Sequence, residues 1–446
     1  FIACAGTWDE LTDSVTYPNG KRIALSYLVP KGRLGGARLP MEILKRSILW
    51  QNRKLGFVYP YESYRTICME KSNYGGMENV GNTTIITEAA LIDGNIGDRR
   101  LVYAHGVIVH EYEHSHCGSG VTMASPFDMW LNEAYTVDIE RQFLADTFNP
   151  VFMRLQEVDE LRAPGEGPLA VEDTGKAPAI VREGFNDPDE VVDGLTYDKA
   201  PEVLDMLRQL VGPAAYAAAT SLYFRRYAGG NADTDQFLAC FAETVPDFPV
   251  DAFARRWLFA PGYPRVVARY DYDSAKRTLT LKLKQDAKKP FVIPFSFAAV
   301  DGDGRDLVAQ TIRFDKPSQS VTLTDIDRPA FLSLNRRAGF YGICEDASAT
   351  DGQLVAQVAG DPDLFNRVEA MRRLTDRQRG LLMRLSSQGD RDLASWANGV
   401  WMDVYRRVAV ATDVPDGVKA YLLSIDEEPF DRSLLPNVRE NAAIRR

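Results

Sequence analysis

A chain of 446 residues, 45% hydrophobic and 26% charged, is composed like a soluble globular protein of on the order of two to four domains. Its formal net charge of −10, with no basic block to offset it, argues against nucleic acid as a partner. No apolar run approaches the ~18 residues expected of a membrane span, and five scattered cysteines (Cys4, Cys68, Cys117, Cys240, Cys344) fit a reducing, cytoplasmic setting better than a disulfide framework.

The chain opens on Phe1-Ile2-Ala3-Cys4-Ala5-Gly6, which reads as mid-strand and predicts a native start further upstream. Tyr17-Pro18-Asn19-Gly20-Lys21 is a hairpin turn signal, followed by the alternating strand Ile23 to Val29. Pro30 to Gly36 reads as a linker. From Leu39 to Leu55 the pattern is helical, with Met41, Leu44, Ile48 and Leu49 as its apolar face. Tyr64 to Met69 and Thr83 to Thr87 read as strands around a glycine-rich stretch, and two helices rich in His and Glu follow. A polar, proline-bearing segment (Ala163 to Glu190) precedes a helix over Pro201 to Val211, and further helices close at Pro261-Gly262-Tyr263-Pro264. Val266 to Ile343 then carries short alternating strands, a small β-sandwich. From Leu354 the pattern is helical and resembles the helix pairs of an α-solenoid.

The chemistry concentrates in Val107-Ile108-Val109-His110-Glu111-Tyr112-Glu113-His114. All four histidines of the chain (His105, His110, His114, His116) fall in or within two residues of this stretch. Residues four apart on a helix share a face, so His110 and His114 can point two imidazoles at one metal ion, with Glu111 placed to act on a bound water. Glu133 follows His114 with eighteen residues between, inside Trp130-Leu131-Asn132-Glu133, and supplies the third ligand that a catalytic zinc requires. Glu140, two turns beyond Glu133, can orient a ligand from behind. The bare His-Glu-x-x-His match alone would also suit a helix with two solvated histidines; the third ligand and its flanks favour the metal site.

A second cluster, Gly75-Gly76-Met77-Glu78-Asn79, lies between the two middle strands. Glycines admit close backbone approach, an adjacent strand edge can pair with a peptide main chain, and Glu78 could take its α-ammonium. Alone, a surface turn with one glutamate accounts for the cluster.

Together the two motifs resemble the aminopeptidase N-like zinc metallopeptidases (gluzincins), which carry Gly-x-Met-Glu-Asn shortly before His-Glu-x-x-His. Further matches follow in order: Val121-Thr122, Trp130 to Glu133, Thr196-Tyr197-Asp198-Lys199-Ala200-Pro201-Glu202-Val203, Trp257 and Gly262-Tyr263-Pro264. The later strand pairs and Leu332-Ser333-Leu334-Asn335-Arg336 look most like bacterial alanyl aminopeptidases. The resemblance implies a multidomain α+β protein: residues 1–30 the tail of an N-terminal β-domain, 31–262 a thermolysin-like zinc peptidase catalytic domain, 263–345 a β-sandwich and 346–446 the start of a C-terminal helical domain. It implies one zinc ion held by His110, His114 and Glu133, with Glu111 as general base and Tyr197 as hydroxyl donor to the oxyanion. Glu78 would hold the free amino terminus of a peptide substrate, with Gly75, Gly76, Met77 and Asn79 lining its path and Tyr74 shaping the pocket for the first side chain. Without the resemblance, Tyr197 before a helix reads as packing. A monomeric enzyme removing one N-terminal residue per turnover is expected; a gluzincin endopeptidase and a catalytically silent peptidase-fold scaffold are the alternatives.

This chain departs from the family at Ser115-His116-Cys117-Gly118-Ser119, where x-Trp-x-Gly-Asn is usual, at Ser125-Pro126-Phe127, and at Glu113, an unusual charge inside the motif. Cys117, three residues beyond His114, is expected on the metal-facing side as a packed thiol rather than a fourth ligand, and His116 as structural.

Overall fold

The computed structural model describes residues 2–286, 289–388, 399–425, 434, 436, 437, 439 and 440. It divides into two compact units: Phe1–Met153 with Glu160–Gly262, and Arg154–Asp159 with Tyr263–Arg446.

The first unit is built on a mixed sheet in the order β1-β2-β3-β5-β4. β1 (Trp8–Thr16) and β2 (Arg22–Pro30) form an antiparallel hairpin closed at Tyr17 to Lys21, where Gly20 takes φ 86°. In β2 the alternate residues Ile23, Leu25, Tyr27 and Val29 are all buried, the period-2 pattern of a strand covered on one face. α1 (Arg38–Leu55) covers that face with Met41, Leu44 and Ile48, while Leu49 is half-buried at its margin. The helix stops where Gly56 turns left-handed and donates its N–H to the Asn52 carbonyl. β3 (Ser63–Met69) runs parallel to β2 and β5 (Thr83–Ile86) parallel to β3, while the two-residue β4 (Gly76–Met77) pairs antiparallel with β5 at the sheet edge.

A boundary at residue 30 does not divide this structure. β1 and β2 belong to the same sheet as β3, β4 and β5, and Val15, Tyr17 and Ile23 share one core with Met41, Ile85 and Tyr112. Burial of that shared core ties the hairpin to the region that follows it.

Helices supply the rest of the first unit. α2 (Thr87–Ala90) is a single turn, and α3 (Asp98–Glu113) packs against α1 and against α4 (Met129–Thr147). β6 (Thr122–Met123) pairs with β7 (Asn231–Ala232), and α5 (Pro150–Arg162), α6 (Pro168–Asp173), α7 (Ala200–Val211), α8 (Pro213–Arg226), α9 (Thr234–Thr244) and α10 (Val250–Trp257) complete the set. A buried ion pair, Lys199 Nζ to Glu172 Oε1 at 2.6 Å, links α6 to the turn preceding α7.

In the second unit, β8 (Arg265–Asp273), β9 (Thr278–Gln285), β12 (Ser318–Leu323) and β14 (Ile343–Asp346) form one sheet, ordered β12-β9-β8-β14. β10 (Ile293–Val300), β11 (Asp306–Phe314) and β13 (Phe331–Leu334) form the other, ordered β11-β10-β13. Leu279, Leu281 and Leu283 alternate inward from β9. The helical region follows as α11 (Asp351–Gly360), α12 (Leu364–Ser387), α13 (Gly399–Val410) and α14 (Asp416–Leu423). The expected helical stretch also includes 389–398, 426–433, 435, 438 and 441–446, which lie outside the described residues. Among the described residues, no helix is long and apolar enough to cross a membrane.

Candidate metal centre

α3 presents His110 and His114 one turn apart at its C-terminal end, and α4 brings Glu133 to meet them. The two ring Nε2 atoms stand 3.0 Å apart, and Glu133 Oε2 lies 3.4 Å from each. Among the described residues this is the group of metal-type donors whose ligand atoms all fall within 4.8 Å of one another. Behind the rings, His110 Nδ1 faces Glu140 Oε2 at 3.1 Å and His114 Nδ1 faces the Cys117 carbonyl at 2.9 Å. Both far nitrogens thus meet acceptors, so that the neutral form of each ring would carry its proton on Nδ1 and turn its Nε2 lone pair to the common point.

Two observations fit a cation there. Glu133 Oε2 is buried with no hydrogen-bond partner, a costly state for a carboxylate oxygen unless something positive meets it. Two imidazoles and a carboxylate are also the donor set that suits zinc with one position left open. Burial opposes ionisation of Glu133, yet the His114 and His110 rings hold its carboxyl below the usual range.

Glu111, beside His110, is buried, and its Oε2 has no partner. Burial raises its carboxyl to about 7, against the pull of the His110 and His114 rings. That is a range in which a carboxylate can both take and return a proton. Over it runs the edge strand β4. A Cβ on Gly76 would sit 2.3 Å from Glu111 Oε1, and one on Gly75 2.7 Å from the Tyr103 hydroxyl. The glycines serve close approach: they let the strand lie directly on α3. The inner side of the strand bonds β5, with Ile86 N donating to Gly75 O at 2.9 Å, so its other side is the free one. Tyr74 and Met77 are about half exposed along it, Glu78 and Asn79 are half-buried, and the charge of Glu78 reaches Glu111, His114 and Tyr197.

Tyr197 sits on a five-residue π-helical turn, Leu195–Lys199, that runs straight into α7. Its ring lies parallel to His110 at 6.4 Å. Burial, and then the Glu133 carboxylate, push its phenol above the ordinary value, so it remains a hydrogen-bond donor.

The other histidines have separate work. His105 Nδ1 bonds the Leu101 carbonyl and its Nε2 meets Arg46 at 2.9 Å, which fixes it as a neutral ring. His116 stacks between Phe57 and Phe224, with centroids at 4.6 and 3.8 Å, and its Nδ1 pairs with the buried Glu113 at 3.2 Å. The His116 stack and the Glu113 charge form one unit. Cys117 is a buried, packed thiol and is not one of the converging donors. Helix α3 ends at Glu113 and Gly118 turns to φ 125°, and the Cys117 thiol points to the Leu131 carbonyl of α4 at 3.1 Å.

Sequence reasoning missed Gly106. A Cβ there would lie 2.5 Å from Glu140 Oε1, so this glycine makes room for the carboxylate behind His110. The available signal was a glycine in a helix interior, where it costs about 1 kcal/mol relative to alanine.

Comparison with known proteins places this fold and donor group beside the peptidases. Residues 39–257 match the Peptidase family M1 domain, and residues 262–346 match a domain of unknown function with an Ig-like fold. Aminopeptidase N of Caulobacter vibrioides is 28% identical over 458 residues, which cover 100% of this chain and 51% of that protein. Aminopeptidase N of Escherichia coli is 29% identical over 325 residues, 70% of this chain and 36% of that protein. The crystal structure of Legionella pneumophila aminopeptidase A in complex with aspartic acid shares the fold, with a TM-score of 0.87 at 17% identity over 99% of this chain and 49% of that one. The chain spans about half the length, or less, of these relatives. The chain is aminopeptidase N-like, with a peptidase family M1 domain over residues 39–257.

Proposed function

We propose that the chain is a zinc-dependent aminopeptidase, monomeric, that removes the N-terminal residue from oligopeptides. The observation that carries this is the meeting of three donor atoms beside a buried glutamate, directly under a glycine edge strand. His110, His114 and Glu133 would hold the zinc, with Glu140 and the Cys117 carbonyl fixing the rings. Bound zinc polarises a carbonyl and brings the pKa of a water down to about 7.

The chain's own residues divide the remaining work. Glu111 accepts the proton of the attacking water and delivers it to the departing amine. Tyr197 donates its hydroxyl to the oxygen on which negative charge develops, worth about 3 kcal/mol when such a donor is preorganised. Glu78 pairs with the α-ammonium of the substrate and sets the register, so that cleavage falls after the first residue. The free side of Gly75, Gly76 and Met77 takes the substrate main chain, with Asn79 closing the turn and Tyr74 beside the first side chain. Five free thiols fit a cytoplasmic setting.

The test is hydrolysis of alanine p-nitroanilide and of Ala-Ala-Phe, each beside its N-acetylated form, with and without a zinc chelator. Cleavage of the free-amine substrates alone, abolished by the chelator, is expected. Equal turnover of the acetylated peptides would replace this reading with an endopeptidase, and inactivity of the zinc-loaded protein would replace it with a scaffold.

A further inference from the structure

We infer that Asp193 is a positioning residue for catalysis, capping the turn that aims Tyr197; the inference rests on the oxyanion-donor role proposed above for Tyr197. A π-helical turn is rare and is not held by the regular helix ladder, so its leading N–H groups need partners from elsewhere. Asp193 supplies them. Its Oδ1 accepts from the Leu195 and Thr196 N–H groups, both at 3.0 Å. Its carbonyl accepts from the Thr196 and Tyr197 N–H groups, again both at 3.0 Å. Three consecutive N–H groups, that of Tyr197 included, therefore converge on one residue.

Asp193 is itself pinned. Its Oδ2 meets Arg182 Nη2 at 2.6 Å, and that guanidinium is buried and also donates to the Ala179 carbonyl. The Thr196 hydroxyl bonds the Val191 carbonyl at 2.8 Å, which closes the turn from the other side. Lys199 and Glu172 anchor the far end of the turn through their buried ion pair. A phenol at the end of a long rigid side chain carries any backbone shift to its hydroxyl. Misplacing a catalytic donor by about 1 Å can cost about a hundredfold in rate.

The experiment is a double-mutant cycle on aminoacyl p-nitroanilide hydrolysis by the zinc-loaded chain. Asp193→Ala should lower kcat about ten- to a hundredfold and leave KM within about twofold. Asp193→Asn keeps an oxygen that accepts both N–H groups but turns its NH2 toward Arg182, and should give a kcat between those of Asp193→Ala and the parent. In a Tyr197→Phe background Asp193→Ala should cost less than about twofold more, because the group it aims is already gone. If the alanine variant does not fold, Asp193→Ser, whose shorter side chain reaches one N–H, takes its place with an intermediate kcat. Equal losses in both backgrounds, or parental kcat in Asp193→Ala, would overturn the positioning role alone. Parental kcat in Tyr197→Phe would instead overturn the oxyanion role, and the inference with it.

Discussion

Replacing Glu140 by alanine removes the acceptor that His110 Nδ1 faces at 3.1 Å while leaving all three donor atoms of the centre in place. Carboxylates in this position behind a metal-bound imidazole are worth about ten- to a hundredfold in metal affinity, or about 1.4–2.7 kcal/mol. The Glu140 side chain is 24% exposed, so water can replace part of its role, and the loss should fall near the lower end, about tenfold. Glu140→Gln keeps an acceptor without the charge and should lose about threefold. Gly106→Ala reaches the same point by a different route, because its Cβ would fall 2.5 Å from Glu140 Oε1 and push the carboxylate aside. Alanine is the better helix former by about 1 kcal/mol, so this variant should bind zinc more weakly while its zinc-free form gains or holds stability. Competition against a chromophoric chelator gives the zinc affinity, and urea unfolding of the zinc-free protein gives the stability. Parental zinc affinity in both Glu140→Ala and Gly106→Ala would refute the claim that Glu140 holds the ring.

Glu78→Gln should raise KM for free-amine substrates about tenfold or more and abolish most discrimination against N-acetylated ones, read by steady-state kinetics on the paired peptides. Lys199→Met removes the ammonium that meets Glu172 in a buried ion pair and should destabilise the zinc-free chain by about 3 kcal/mol, with much of that recovered in the Lys199→Met, Glu172→Leu double variant, both read by urea unfolding. Asp361 gives a pH test: burial, opposed by hydrogen bonds from Gln357 and Ser333, raises its carboxyl from 3.8 to about 6. The folded state therefore favours the protonated acid; its contribution is complete below pH 3.8 and is lost as pH rises through about 6. The rise corresponds to on the order of 3 kcal/mol. Asp361→Asn should thus flatten the pH dependence of urea unfolding between about pH 4 and 7, and an unchanged slope would contradict the assignment.

The meeting of His110, His114 and Glu133 was legible because its logic is local. His110 and His114 sit one helical turn apart, Glu133 and Glu140 two turns apart on the next helix, and helix periodicity alone sets which side chains share a face. Where the helix stops, that logic stops too. Cys117 lies beyond the end of α3, and its contact with the Leu131 carbonyl of the next helix could not be read from spacing. The sheet order β1-β2-β3-β5-β4 was out of reach, since pairing β2 with β3 joins segments that local pattern separates with a linker and a helix. For the same reason residues 1–30 looked like a separate piece. Gly106 and Asp193 were invisible for a different cause: one makes space for a carboxylate thirty-four positions away, and the other caps a turn whose π-helical form no spacing announces.

The account rests on one cation shared by two helices, and zinc content per chain is its most direct test. Metal analysis after zinc loading and desalting should give close to one zinc for the parent and for Glu111→Gln, which keeps the donors but loses turnover, and close to none for His114→Ala. A His114→Ala chain that still retains one zinc, or a parent chain that retains none, would contradict it.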